Sequence, residues 1–418
     1  MTRDGLPDDF LWGVATAGHQ NEGDNTASDT WFLEHTTPSL FREPSGPACR
    51  GYQQWESDLD LVAGLGLNAF RFSVEWARVE PERGVVSAEA LDHYEQMVDG
   101  CLDRGLAPVV TFNHFTGPHW FAAAGSWTGA DAPARFAEQC DRVMARFGDR
   151  IAFAVTLNEP NLEQLLQAGG KLPAEAEVLK TQMLAAAARA AGTGTYASAN
   201  VIPADLQEAF QEAFIHAHRA ARTAIKARRG DLPVGVSIAI ADEVAVPGGE
   251  ERRDAKRAAV YDPWLCEARH DDFIGVQNYE RIVHGPGGEV KIEGELNGMG
   301  TAIAPGSLTG AARYAHAVSG VPVLVTEHGI QTPDDTQRAA FIPAAIDELV
   351  AQAGAGTPVL GYCHWTLMDN FEWIFGYGAQ LGLHEVDRAT FQRRPKPSAK
   401  TYAEVVRSYR DVLSDSRN

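Results

Sequence analysis

The run "TLNEP", Thr156 to Pro160, ends an apolar stretch in an amide, a carboxylate and a proline, and "VTEHG", Val325 to Gly329, ends another in a carboxylate and an imidazole. Two carboxylates in unlike surroundings, here Glu159 and Glu327, can divide one reaction between them. One stays protonated near neutral pH and donates to a leaving oxygen; the other stays ionised and attacks carbon. Cleavage of a glycosidic bond asks for such a pair, held about 5–5.5 Å apart when configuration is retained and roughly 6.5–9.5 Å apart when it is inverted. Arg71 is suited to keeping Glu327 ionised, because an adjacent cation lowers a carboxyl pKa, and Tyr279 to donating a hydrogen bond to the same group. Asn158 offers an uncharged donor beside Glu159. Trp365 and Trp373 offer flat apolar faces of the kind that pack on a pyranose ring.

These residues need elements to carry them. Short apolar or β-branched runs bounded by turn residues predict eight strands: Phe10 to Ala17, Ala69 to Val74, Ala107 to His114, Ala152 to Asn158, Pro233 to Ile240, Asp272 to Tyr279, Pro322 to Gly329 and Val359 to Thr366. Between several of them the apolar period changes to three and four. Leu91, Tyr94, Met97, Val98, Cys101 and Leu102 form one such face, with Gly105 placed to stop the helix; Phe136, Cys140, Val143, Met144 and Phe147 form another. Continuous apolar strands alternating with helices predict a parallel sheet covered by helices. Eight units without a G-x-G-x-x-G after the first strand favour an α/β fold of (β/α)8 TIM-barrel type over an open doubly wound sheet, as a single catalytic domain over 1–418 with loop insertions at the C-terminal face.

In such a barrel the C-terminal strand ends carry function. The polar residues gather there: His19, Gln20 and Glu22 after the first strand, Arg71, then Asn113 and His114, Asn158 and Glu159, Gln277 to Tyr279, Glu327 and His328, and finally His364, Trp365, Asp369, Glu372 and Trp373. Pro160 lacks the N–H that would extend its strand and disfavours helical geometry at Glu159. The Ala-rich segment Gln167 to Asn200 follows the fourth strand, and reads either as a solvated helix with a loose loop or as a lid over the site.

Composition narrows the function classes. The chain has 418 residues with 56 acidic against 36 basic, a net of −20, which repels phosphate backbones and anionic lipids. No nucleic-acid or membrane partner is expected. Five scattered cysteines without a C-x-x-C pair predict buried free thiols in a reducing compartment. The first residues do not form a secretory signal and no stretch reaches the roughly 18 apolar residues of a membrane span, so a cytoplasmic location is expected. The H-x-H of His216 and His218 falls inside a helical pattern, where i, i+2 side chains diverge, so no metal site is read there. The "GPGG" at Gly285 to Gly288 reads as a tight turn, and no G-x-S-x-G elbow is present.

The ordered blocks "FLWGVATAGHQNEG", "FRFSVEWARVEP", "VTFNHFTGPHWF", "TLNEP", "DFIGVQNY", "VTEHG" and "HWTLMDNFEW…GYG" resemble glycoside hydrolase family 1, the β-glucosidase-like retaining glycosidases, from about Phe10 to Tyr402. The resemblance implies Glu159 as general acid/base, Glu327 as nucleophile, and Arg71 and Tyr279 as its contacts. It implies Gln20, His114, Asn158, Glu372 and Trp373 as binders of the sugar's hydroxyls and Trp365 as the platform beneath it. It implies no metal or organic cofactor. A small β-glycoside is then the substrate, most simply a terminal β-D-glucoside. Galacto, fuco or xylo preference, transglycosylation at the same site, and a non-catalytic sugar-binding barrel are the alternatives, and a homo-oligomer is left open.

The chain departs from the family pattern at several places. His328 stands for the Asn after the nucleophile, and Gln277 and Asn278 for the first two residues of Asn-Tyr-Tyr. Asn161 stands where an aromatic often helps form the leaving-group site, and Leu381 where Phe lies near C6 of the sugar. The Ala-rich segment lacks a common Pro-Gly-containing loop on the leaving-group side. Glu372 is retained, which argues against a 6-phosphorylated sugar through charge repulsion.

Overall fold

The computed structural model describes residues 6–415, so the first five and last three residues of the expected 1–418 unit lie outside the described residues. Eight parallel strands close into a barrel in chain order: β1 (Leu11–Ala15), β2 (Ala69–Ser73), β3 (Ala107–Asn113), β4 (Phe153–Asn158), β5 (Val234–Ala239), β6 (Phe273–Asn278), β7 (Val323–His328) and β8 (Val359–Trp365). Each lies inside a run anticipated from its apolar residues. β8 pairs back onto β1, with Leu11 opposite Gly361.

The barrel floor is filled by Leu11, Ala69, Val109, Val155, Phe273 and Leu324. A Cβ added at Gly235 of β5 would stand 2.3 Å from the Phe273 carbonyl oxygen and 3.0 Å from its ring, so glycine is what lets that ring fill the floor. Outside the barrel, helix Ala132–Phe147 buries Phe136, Cys140, Val143, Met144 and Phe147 and packs against helix Gln207–Arg228. Helix Ala88–Asp103 is capped by the Ser87 hydroxyl, which accepts from the Ala90 N–H at 3.1 Å. It buries the expected face except Leu102, which is 45% exposed. Cys266 is likewise exposed, whereas the other four cysteines are buried; all five are free.

Insertions cluster beyond the strand ends. Asp242–Ala245 pairs with Arg281–Gly285, which turns back at Gly285 to Gly288 into Gly288–Val290. The Ala-rich segment forms a surface helix that is solvated on one face and packed on the other. Helix Ala174–Ala191 buries Met183, Leu184, Ala187 and Ala188 against Leu33, Phe41 and Phe371. Among the described residues no helix is long and apolar enough to cross a membrane.

Gly235→Ala should destabilise the fold by about 1–3 kcal/mol through overpacking of the floor. The denaturant midpoint should fall while the residues at the barrel mouth keep their arrangement; an unchanged midpoint would show that the floor has slack.

Candidate active site

The strand ends open into a cavity of about 380 Å³ lined by Gln20, His114, Asn158, Glu159, Tyr279, Glu327, Trp365, Glu372 and Trp373 together. Arg71 sits behind this lining with no solvent exposure. Not every strand-end residue joins it. Asn278 turns away, donating to the Ile240 carbonyl and accepting from Ser307. His328 packs on Phe341 and meets the Tyr362 hydroxyl at 3.0 Å, and burial pulls its pKa down to about 3, so it is a neutral packing group rather than a neighbour of the reacting carboxylate. Glu22 is held by Arg78 at 2.6 Å.

Asn161 also differs from expectation. It is buried, its Nδ2 donates to the Ala239 carbonyl at 2.8 Å and its Oδ1 accepts from the Ala239 N–H at 3.0 Å. It therefore clamps the end of β5 and has no place in a leaving-group site. Leu381 does line the cavity, packed with Trp365 and Ala379.

The two carboxylates occupy opposite electrostatic settings. Glu327 Oε1 accepts from Arg71 Nη1 at 2.6 Å and from Gln277 Nε2 at 3.0 Å, and its Oε2 accepts from the Tyr279 hydroxyl at 2.8 Å. Among the described residues no donor is hydrogen-bonded to the Glu159 carboxyl. Burial raises both pKa values, but Arg71, Tyr279 and Gln277 pull Glu327 back. Glu159 is driven well up by burial and by the charge of Glu327, with Arg71 opposing at a distance. The first proton to leave this coupled pair therefore leaves Glu327, and Glu159 retains its own.

Gln277 was expected in the ring of strand-end polar residues and as a departure from the family pattern, with no role assigned; it is a direct partner of Glu327. The alternation of a strand could have signalled it: Gln277 and Tyr279 are two apart and share a face, leaving Asn278 on the other. Gln277 Nε2 also donates to Asn158 Oδ1 at 2.8 Å, and Arg71 Nη2 donates to the same oxygen at 2.5 Å. With its oxygen so occupied, Asn158 presents its amide nitrogen, 3.3 Å from His114 Nε2. Burial and Arg71 hold His114 neutral. Accepting at Nε2 then leaves its proton on Nδ1, an atom with no protein partner, as is Gln20 Oε1. Both residues line the cavity, and hydroxyl groups complement them. His114 stacks on Trp365 and Trp373 at 5.7 and 6.0 Å between ring centroids.

The backbone helps to aim these groups. Both carboxylate-bearing strands lose their register near their ends, between Val155 and Asn158 in β4 and between Val325 and Glu327 in β7. Such irregularities re-aim side chains at sheet rims. Glu159 has φ +43°, in the left-handed region, as do Phe115 at +65° and Trp373 at +48°, each also at the cavity wall. For residues with a Cβ this costs on the order of 1–3 kcal/mol, a cost found clustered at functional sites.

Burial and the charge of Glu327 push Glu372 up to about 8, with Gln20 donating to it at 3.1 Å. It is thus mostly protonated at neutral pH, and charge repulsion by Glu372 is not what would turn away a 6-phosphate. The lysines that line the cavity are both paired, Lys171 with Glu280 and Lys180 with Glu163 and Glu177.

The family model of glycosyl hydrolase family 1 matches residues 2–282 and 303–410. The chain belongs to this family. It is similar to thermostable β-glucosidase B of Thermobispora bispora, with 30% identity over 96% of this chain and 90% of that protein. A crystal structure of a β-glycosidase superposes with a TM-score of 0.91 at 47% identity, covering 97% of this chain and 98% of the other. The β-glycosidase from Pyrococcus horikoshii gives 0.81 at 26% identity, covering 98% and 97%. The chain is accordingly a glycosyl hydrolase with a (β/α)8 barrel.

Asn161→Ala leaves the Ala239 N–H and carbonyl without their buried partner, at about 1–3 kcal/mol. The melting temperature should fall, and the relative rates for a set of aryl glycosides with different leaving groups should stay unchanged. A changed ranking would return Asn161 to the leaving-group site.

Proposed function

We propose that this family 1 hydrolase is a retaining β-glycosidase that removes a terminal, non-reducing β-D-glucosyl unit from small glycosides by double displacement. The observation that carries the reading is the unequal treatment of the two carboxyls, with three donors on Glu327 and none on Glu159. In the first step a Glu327 oxygen bonds to the anomeric carbon as the glycosidic C–O bond breaks, and Glu159 gives its proton to the departing oxygen. In the second, Glu159 takes a proton from water, the water oxygen bonds to the anomeric carbon, and Glu327 leaves as the carboxylate. Asn158, His114, Gln20 and Glu372 hold the hydroxyls, and Trp365 the ring. The chemistry uses side chains of this chain and water. The glucose preference rests on relatives such as the β-glucosidase of Thermobispora bispora. A panel of aryl β-glycosides differing at C4 and C6 decides it against galacto, fuco or xylo preference.

Glu327→Ala should lower kcat/KM for an aryl glucoside about 10⁴-fold or more, and azide should restore partial turnover with the α-glycosyl azide as product. A β-azide product, or full activity, would overturn the assignment of nucleophile. A second expectation concerns pH. Gln277 Nε2 donates to ionised Glu327, which lowers its pKa, so Gln277→Leu raises it and moves the acidic limb of the kcat/KM profile to higher pH. The alkaline limb, where the pair loses its second proton, should move less. An unmoved acidic limb would show that Gln277 does not act on the nucleophile.

A further inference from the structure

His19 stands among the polar residues that follow β1, yet it is not part of the cavity lining and lies one layer behind it, buried at 1% exposure. Its imidazole is parallel to the Trp373 indole, with 4° between the planes and 5.7 Å between ring centroids, and meets Phe371 edge-on at 6.2 Å. Nε2 stands 2.8 Å from Glu34 Oε1, and neither side chain reaches solvent. The other nitrogen fixes the tautomer. Asn25 Nδ2 donates to Glu75 Oε2 at 2.8 Å, which identifies it as the amide nitrogen, and it stands 3.4 Å from His19 Nδ1. Nδ1 therefore accepts, and Nε2 donates its proton to Glu34. Glu34 Oε2 accepts in turn from the backbone N–H and the hydroxyl of Ser45 at 2.9 and 2.8 Å. The imidazole is held at both edges and offers a flat face to the indole.

The loop to which this indole belongs needs such support. Residues 371–378 bring Glu372 and Trp373 to the cavity, while Ile374 and Phe375 at the tip are 40% and 43% exposed. Trp373 has φ +48° and Gly376 φ +63°, and a Cβ added at Gly376 would collide with the Glu43 side chain. Backbone held in the left-handed region persists only where its surroundings over-determine it. Here a single stretch of chain does so at the far end of the loop. Arg42 N–H donates to the Ile374 carbonyl at 3.2 Å, Glu43 Oε1 accepts from the Tyr377 N–H at 3.0 Å, and the Ser45 carbonyl accepts from the Tyr377 hydroxyl. Glu34 holds Ser45 with one oxygen and His19 with the other. It thereby joins the clasp on Tyr377 to the ring behind Trp373.

We propose that His19, oriented by Glu34, is a positioning residue whose ring fixes the Trp373 indole and with it the sugar contacts of the Glu372–Trp373 turn. The proposal rests on the glycosidase reading above. His19→Ala should lower kcat/KM for an aryl β-glucoside about 10- to 100-fold, the cost of a misplaced binding group. It should also weaken calorimetric binding of phenyl 1-thio-β-D-glucoside, which resists turnover. His19→Phe keeps a flat ring beside the indole but deprives Glu34 of a donor. Its melting temperature should fall, while kcat/KM stays within about threefold of the unmodified protein. A merely structural role would not separate the two. In the Trp373→Ala background no indole is left to position, so adding His19→Ala should cost less than about twofold more. Should His19→Ala fail to fold, Glu34→Ala takes its place in these comparisons. Unchanged kcat/KM in His19→Ala, activity that follows melting temperature in both His19 variants, or losses that multiply in the double variant overturn the proposal. Absence of turnover by the unmodified protein, with thioglucoside binding still weakened by His19→Ala, would instead count against the glycosidase reading and leave the positioning role standing.

Discussion

Arg71 has no contact with solvent, and its guanidinium is shared among groups from three other strands: Thr111 Oγ1 of β3 at 3.1 Å, Asn158 Oδ1 of β4 at 2.5 Å, and the Thr326 carbonyl and Glu327 carboxylate of β7 at 3.2 and 2.6 Å. A buried cation is tolerable only when paired and hydrogen-bonded, and removing one partner costs about 3–5 kcal/mol. The fixed planar fork of Arg meets these directions at once, which the mobile point charge of Lys would not. Glu327 is aimed, Asn158 is turned so that its amide nitrogen faces the cavity, and His114 takes its tautomer from Asn158. Each orientation follows from where the guanidinium points.

The same cation sets the protonation of its surroundings. Three carboxyls, Glu159, Glu327 and Glu372, share a site in which Arg71 is the buried cation and His114 is neutral. Only one of the three has Arg71 within hydrogen-bond reach. Burial then favours protons on the other two. The division of labour between acid and nucleophile thus comes from distance to one positive charge, as in other sites where neighbouring carboxyls are driven apart.

Much of this was legible in the chain. All eight strands were foreshadowed by apolar runs, because strands covered on both faces cannot hide their composition. The ring of polar residues was legible because strand interiors exclude them. What the sequence did not disclose was which way each strand end faces. Simple alternation fails where β4 loses register. Glu159 thereby reaches the cavity beside Asn158, whereas at the ends of β6 and β7 alternation holds: Gln277 and Glu327 face in, and Asn278 and His328, which stood in the same ring of candidates, pack outward. Asn161 shows the converse problem: an amide after a proline reads the same whether it meets a ligand or a backbone carbonyl.

The ion pair at the centre joins residues 256 apart in sequence. A chain folding from its N-terminus has β2, β3 and β4 long before β7, and with them the Thr111 and Asn158 partners of Arg71 but not the Glu327 oxygen. Half a barrel would have to enclose a cation whose close anion has yet to arrive, which disfavours any stable early fragment. Closing the sheet and completing the reactive pair are on this account a single event, so a molecule whose barrel has closed around Arg71 has also acquired its nucleophile.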